Sequence, residues 1–203
     1  MTDDQRQQAK QTVYGVIYGM GERALAEQLG VEQAEAAAFQ DSFKARYPGL
    51  RRWLLQCVAR ARSSGVVETM SGRKRKIPDI TSTSAHRRSG AERVAVNTRV
   101  QGSAADLVKT AMVRVEEGLR QAWPGLQPLR WCRRRKGGWR GQKGAWLLLQ
   151  LHDELIFEVS GDDVVQAAQV VRGGMEGAVA LEVPTPVRLK VGASWGTLHE
   201  FKL

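Results

Sequence analysis

Three groups of residues have types and spacings that could do chemistry. The first lies in an apolar run, Leu147–Val159, whose middle carries His152, Asp153 and Glu154 in succession. A buried strand does not hold two adjacent carboxylates without partners, because an unpaired buried charge is strongly unfavourable. If the chain turns at His152-Asp153, the apolar arms form a hairpin and the acids stand at its tip. A tip facing a cleft suits a divalent cation. Magnesium takes hard oxygen ligands and usually only one or two protein carboxylates. The plain alternative is an exposed acidic turn.

The second group is Arg6, Lys10, Tyr14 and Tyr18, spaced four residues apart. On a helix of about 100° per residue each step drifts by only about 40°, so the four share one side. Two cations followed by two aromatics suit a nucleotide, with phosphates at the cationic end and sugar and base against the rings. Gly15 and Gly19 would let another group come close. The alternative is an exposed face with two core tyrosines. The third group is Arg93, Asn97 and Gln101, again at helical spacing. Asn and Gln can donate to acceptors in a duplex minor groove, and Arg can hold a backbone phosphate. A solvated polar face is the alternative.

The elements that must position these groups are legible in the periodicity. Helices are predicted from the N-terminus through about Tyr18, over roughly Gly21–Leu29, over Val31–Tyr47 and over Leu50–Ser63. "VVETM" predicts a short strand, and Ser89–Arg120 one long helix. Val96, Val100, Ala104, Leu107, Ala111, Val115 and Leu119 make its apolar stripe. Strands are expected over Leu147–Leu151, Leu155–Val159 and Val187–Val191. A helix is expected over Asp162–Val179, weakened by Gly173 and Gly174.

The totals narrow the class. A chain of 203 residues with 42% hydrophobic and 26% charged residues can bury a core. No stretch approaches the roughly 20 apolar residues of a membrane span, so no membrane partner is expected. Cys57 and Cys132 are the only cysteines, which speaks against a disulfide scaffold or zinc cluster. The net charge is +10, and eight Lys or Arg residues without an acid fall between Gly118 and His152, leaving +2 elsewhere. Such a local field favours a polyanion, most simply nucleic acid. Within it, Trp123–Ala145 has no clean period and reads as an irregular insertion. Its Arg133, Arg134, Arg135 and Lys136 could neutralise phosphates, or form a nuclear-import signal or a solvated basic loop.

Taken together, "RQQAKQTVYGVIYG", "AERVAVNTRVQGSAADLVK" and "LHDELIFEV" resemble conserved blocks of the family A DNA polymerases. The likeness is greatest to the theta branch, as "DSFKARY" and "VGASWG" also indicate, and it covers nearly the whole chain apart from Trp123–Ala145. The resemblance implies an α/β fold, with helical fingers over residues 1–87 and part of a palm over 88–203. The antiparallel palm sheet carries helices, and the insertion lies at about 123–145. Arg6 and Lys10 match positions that hold the incoming triphosphate. Tyr14 matches the ring against the nucleotide sugar, and Tyr18 the aromatic at the insertion site. Arg93, Asn97 and Gln101 match residues along the primer–template minor groove, and His152 a residue near the primer terminus. Asp153 matches a catalytic metal ligand, and Glu154 the acid beside it.

The implied activity is template-directed DNA synthesis from dNTPs on primer–template DNA with two magnesium ions. A theta-like protein would be nuclear and serve double-strand break repair. The chain departs from the family in one respect: no block resembling "DYSQIELR", which carries the second metal-binding aspartate, occurs in it. The thumb and first palm strand are missing too. The expectation is therefore a piece of a longer protein or an incomplete gene model, with the remaining polymerase segments in the same parent chain. Two rivals stand beside this reading: a non-catalytic DNA-binding remnant, and a metal nuclease built on the His-Asp-Glu tip.

Overall fold

A computed structural model of the chain describes residues 2–126 and 143–203. Arg133, Arg134, Arg135 and Lys136, and most of the expected insertion, lie outside the described residues. The chain divides into two compact units, Met1–Ala104 and Ala105–Leu203. The fold is α/β, as expected. The expected division lies near Arg87, whereas the compact units divide at Ala104, inside a helix.

In the first unit, helices α1 (Asp3–Ile17), α2 (Glu22–Leu29), α3 (Gln33–Arg46) and α4 (Pro48–Ser64) follow one another through short turns. Each break has a local cause. Gly19, Gly30 and Gly65 have positive φ, which lets the chain leave a helix in the left-handed conformation. Pro48 starts α4, where its missing N–H costs nothing. Val16, Leu25, Ala26 and Ala36 bury together, with Met20, Leu29 and Phe43 packed around them. The predicted strand at "VVETM" is shorter than expected, β1 (Val66–Glu68), and pairs antiparallel with β2 (Lys74–Lys76). That partner was not read from the sequence, because three exposed cations carry no apolar alternation.

The basic hairpin is held by its own cations. Arg75 donates to the Thr98 hydroxyl at 2.9 Å and Arg73 to the Gly102 carbonyl at 3.1 Å. Arg99 donates to the Glu68 carbonyl at 3.2 Å. Beneath the hairpin, Ala61, Val67, Ile77, Ile80, Ala91 and Ala95 form a second buried cluster. Ala91 and Ala95 come from α5 (Ala85–Ala122), the predicted long helix, which is longer at both ends than expected. Its stripe is corrected in the middle. Val96, Ala111, Val115 and Leu119 are buried, but Val100 and Leu107 are only partly covered and Ala104 is exposed.

In the second unit, β3 (Ala145–Leu151) and β4 (Glu154–Val159) form the expected hairpin, with Leu151 opposite Glu154. The register shifts between Leu147 and Leu149, so Leu148 is a bulge the alternation did not reveal. A 3₁₀ turn at Gly161–Asp163 leads into α6 (Val164–Glu176), shorter than expected. Val115 and Leu119 of α5, Ala145 of β3, and Ala167 and Val171 of α6 make the core. Gly174 belongs to that packing: a Cβ there would lie 2.7 Å from Val115 Cγ2 and 3.1 Å from its backbone. The glycine weakens the helix but lets α6 approach α5. Strand β5 (Leu189–Val191) pairs with β6 (His199–Phe201), a strand the sequence did not suggest.

Asp163 holds the root of the β3–β4 hairpin. Its carboxylate accepts from the Gly144 amide at 2.8 Å and from the Ser160 hydroxyl. The Ser160 hydroxyl holds the Asp163 carboxyl below the usual carboxylate range, against an opposing push from burial. The Gly144 amide, the Lys143 charge and the Trp123 indole act in the same direction as Ser160. A depressed folded-state value means the stabilisation is complete above the ordinary Asp value of about 3.9. It is lost as pH falls through the lower folded value. Asp163→Asn should therefore lower the thermal midpoint at neutral pH, and the gap from wild type should close below about pH 4. A gap that stays constant down to pH 2 would show that the carboxylate charge is not what holds the root.

Candidate nucleotide and metal sites

Helix α1 turns its small side inward and its rings outward. Thr12, Gly15 and Val16 are buried, while Tyr14 is 49% exposed and Tyr18 partly so. Tyr14 is therefore not a core tyrosine, and Tyr18 is covered only in part. The rings lie 6.3 Å apart at 36°, and the Lys10 ammonium sits 5.8 Å from the Tyr14 centroid, within cation–π range.

The turn that ends α1 is built around this face. Gly19, at φ 77°, takes the left-handed conformation, and a Cβ there would meet Arg93 Cγ at 2.9 Å. The glycine thus both ends the helix and lets the Arg93 stem pass. Met20 continues the turn, its amide donating to the Gly15 carbonyl at 2.8 Å. The Met20 carbonyl in turn accepts from Gln40 Nε2 at 3.0 Å. Gln40 is 7% exposed, and its Oε1 accepts from Lys44 at 3.1 Å. Sequence reasoning missed this residue. Its signal was a polar side chain at an inward helical position beside Ala36 and Phe43.

Between these elements lies a cleft of about 570 Å³, lined by Gln11, Tyr14, Tyr18, Arg93 and the turn residues. The size suits a small ligand. The cleft joins two groups that the sequence presented separately, since Arg93 stands on α5 and the tyrosines on α1. Arg93 makes no ion pair among the described residues, so its charge is available to an anion. Arg6 and Lys10 stand further up α1, exposed. Asn97 and Gln101 follow Arg93 at one-turn intervals. The Asn97 Oδ1 atom is buried and has no hydrogen-bond partner among the described residues. Such orphans are uncommon and call for an explanation.

The second unit holds the carboxylates. Leu151 and Glu154 close a two-residue turn formed by His152 and Asp153. His152 has φ 56° and is the one non-glycine with positive φ among the described residues. The predicted placement of the acids is therefore correct: the hairpin is buried at its root, and His152, Asp153 and Glu154 are exposed at the tip. Neither acid makes a salt bridge among the described residues. Two unneutralised carboxylates are a donor set that magnesium would accept. No three His, Cys, Asp or Glu side chains converge among the described residues.

These observations place two rings and a cation around one cleft, an amide oxygen on α5 without a partner among the described residues, and a paired acidic turn. The chain belongs to DNA polymerase family A, whose family model matches residues 1–197. It is 44% identical over 216 aligned positions to DNA polymerase theta of Mus musculus, covering 98% of this chain and 8% of the relative. It is 40% identical over 199 positions to DNA polymerase I of Pseudomonas aeruginosa, covering 98% of this chain and 20% of that one. Among solved structures it is similar to the POL domain of Pol1 from M. smegmatis, in complex with DNA primer-template and dNTP. The TM-score is 0.77 at 36% identity, over 90% of this chain and 29% of that one. The chain thus spans a small part of the curated relatives it matches.

The turn geometry at His152 is directly testable. A β-branched residue is disfavoured at positive φ, whereas glycine is not. His152→Val should be less stable than His152→Gly by about 1–2 kcal/mol, read from denaturant midpoints. Equal stabilities would mean the turn relaxes to negative φ.

Proposed function

We propose that this chain supplies the nucleotide-binding fingers and part of the palm of a template-directed DNA polymerase. The observation that carries it is the cleft joining Tyr14 and Tyr18 of α1 to the uncompensated Arg93 of α5. In this reading the incoming dNTP lies along α1, its triphosphate toward Lys10 and Arg6 and its sugar against Tyr14. Tyr18 packs beside the nascent pair. Arg93 holds a backbone phosphate, and Asn97 and Gln101 lie along the minor groove, where a duplex acceptor or donor would satisfy the Asn97 amide. His152 stands beside the primer terminus.

Asp153 and Glu154 would hold magnesium. When bound, such ions lower the pKa of the attacking 3′-hydroxyl and offset charge on the phosphates. The protein's own contribution is to fix the two acids on a rigid turn and the nucleotide on a rigid helix, so that the reactants are held in line. A two-metal site needs a further bridging carboxylate, which we assign to a segment outside these 203 residues. By analogy with the theta branch we further propose a nuclear protein acting in double-strand break repair, with the basic run Arg133–Lys136 adding DNA contacts.

Primer extension tests this reading. The 203-residue chain alone should bind primer–template DNA without extending it, and the chain joined to the upstream segment of its relatives should extend it. In that joined protein, Asp153→Asn should lower the rate by about a hundredfold or more while duplex affinity hardly changes. Duplex binding without extension in either form would favour a DNA-binding remnant, and cleavage of the DNA a nuclease.

A second test reads Tyr14 itself. Its hydroxyl makes no hydrogen bond among the described residues, so it is available to the nucleotide. A dideoxynucleotide lacks the 3′-hydroxyl that would bond back to its own phosphates, and the Tyr14 hydroxyl can occupy that position. A hydrogen bond to a charged group is worth about 1.5–3 kcal/mol. Tyr14→Phe should therefore raise discrimination against dideoxynucleotides by about tenfold or more, with normal synthesis kept. Unchanged ratios would show the hydroxyl to be idle.

A further inference from the structure

The first unit contains a second concavity that shares no lining residue with the cleft at Tyr14. It measures about 420 Å³ and lies against α4, the β1–β2 hairpin and α5. Its apolar part is the partly buried Trp53 ring and the Cys57 thiol, which is 4% exposed. Burial pushes the Cys57 thiol up, while the nearby Arg99 and Arg60 charges pull it down. Both guanidinium groups therefore direct positive potential at the cavity floor.

The charges around the rim are unequal. Arg60, Lys74 and Arg99 face a single acid, Glu68, whose carboxylate is already paired with Lys74 at 3.3 Å. Arg99 is held by the Glu68 carbonyl, a neutral acceptor. The Arg60 side chain has no hydrogen bond or ion pair among the described residues. Two guanidinium groups thus border the cavity without a neutralising carboxylate. A guanidinium presents planar forked donors that match phosphate oxygens, and an indole face accepts a stacked base. The volume is that of a small-ligand site.

We propose that this cavity binds a nucleoside phosphate, its base against Trp53 and its phosphate between Arg60 and Arg99. The ligand is either a free nucleotide or one unpaired unit of a single strand. Both present the same base and phosphate, and the test separates them.

The 203-residue chain is irradiated with 5-iodo-dUMP or with a short oligonucleotide carrying one 5-iodouracil, and the attached peptide is mapped by mass spectrometry. Attachment at Trp53 is expected. Reaction with both probes or with the mononucleotide alone identifies a free-nucleotide site, and reaction with the oligonucleotide alone a single-strand site. Arg60→Gln, which removes no internal bond, should cut the yield at subsaturating probe by about tenfold, and Arg60→Lys by less. Tyr14→Ala should leave it unchanged, so the outcome is separable from the fate of the polymerase reading. The proposal is overturned if no Trp53 peptide reacts with either probe, or if Arg60→Gln has no effect. Loss of the Trp53 adduct in Tyr14→Ala would also overturn it. Displacement by inorganic phosphate as efficient as by unlabelled dUMP would reduce the cavity to a simple anion site and overturn its nucleoside part.

Discussion

A helix as long as α5 must find cover for its apolar side more than once, and most of the fold follows from that demand. At about 1.5 Å per residue its 38 residues extend roughly 57 Å, several times the length that one small cluster can bury. Ala91 and Ala95 anchor one end in the cluster beneath the β1–β2 hairpin. Val115 and Leu119 anchor the other against α6 and the hairpin root. Between Thr98 and Val108 no residue of the helix is buried. Asn97 stands at the edge of that cover and Gln101 within the uncovered stretch, where a polar side chain can be displayed without competing with the core.

The two anchored ends use different means. Near β1–β2 the helix is held by polar side chains reaching its flank, with Arg73 on a carbonyl and Arg75 on a threonine hydroxyl. These arginines use their charge on backbone and hydroxyl groups, so a run that looks purely electrostatic is partly architectural. At the other end contact is close and apolar, made possible by Gly174 against Val115 and by Gly118 against Val170. There Asp163, the one buried charged residue among those described, ties Gly144 to Ser160 and draws in Trp123 from the end of α5. Trp123 and Gly144, distant in sequence, thus meet at one carboxylate.

What could be read from the sequence was what repeats or interrupts a repeat. The helical stripes of α1 and α5 gave the tyrosines, Arg93 and Asn97. The acids interrupting Leu147–Val159 gave the turn, because a charge pair in an apolar run has few places to go. The fold class followed from the resemblance of three such segments to conserved blocks of the family. Single, non-periodic choices were not legible. Strand β2 is three exposed cations whose pairing is decided by α5, not by their own pattern. Strand β6 is three residues with no alternation to detect. The bulge at Leu148 leaves the composition of β3 unchanged. Gln40 differs from a surface glutamine only in what it faces. The cleft required two distant helices to meet through Gly19, a steric fact that no one-dimensional spacing contains.

The distribution of paired and unpaired cations carries the argument one step further. Across the described surface many basic side chains already have local partners: Arg23 with Glu27, Arg62 with Glu92, Arg120 with Glu116, and Arg172 with Glu176. Exposed pairs of this kind contribute little to stability, but they cancel the field around them. The cations left over are therefore what a distant polyanion would sense, and three of them stand beside aromatic rings. Lys10 and Arg93 stand by the Tyr14 and Tyr18 rings, and Arg60 stands by Trp53. At both places unneutralised positive charge coincides with an aromatic face that is at least partly exposed. Folding gains only about 0.5–1 kcal/mol from an exposed cation–π contact such as Lys10 over Tyr14. A ligand with both phosphate and a planar base would engage the charge and the ring together.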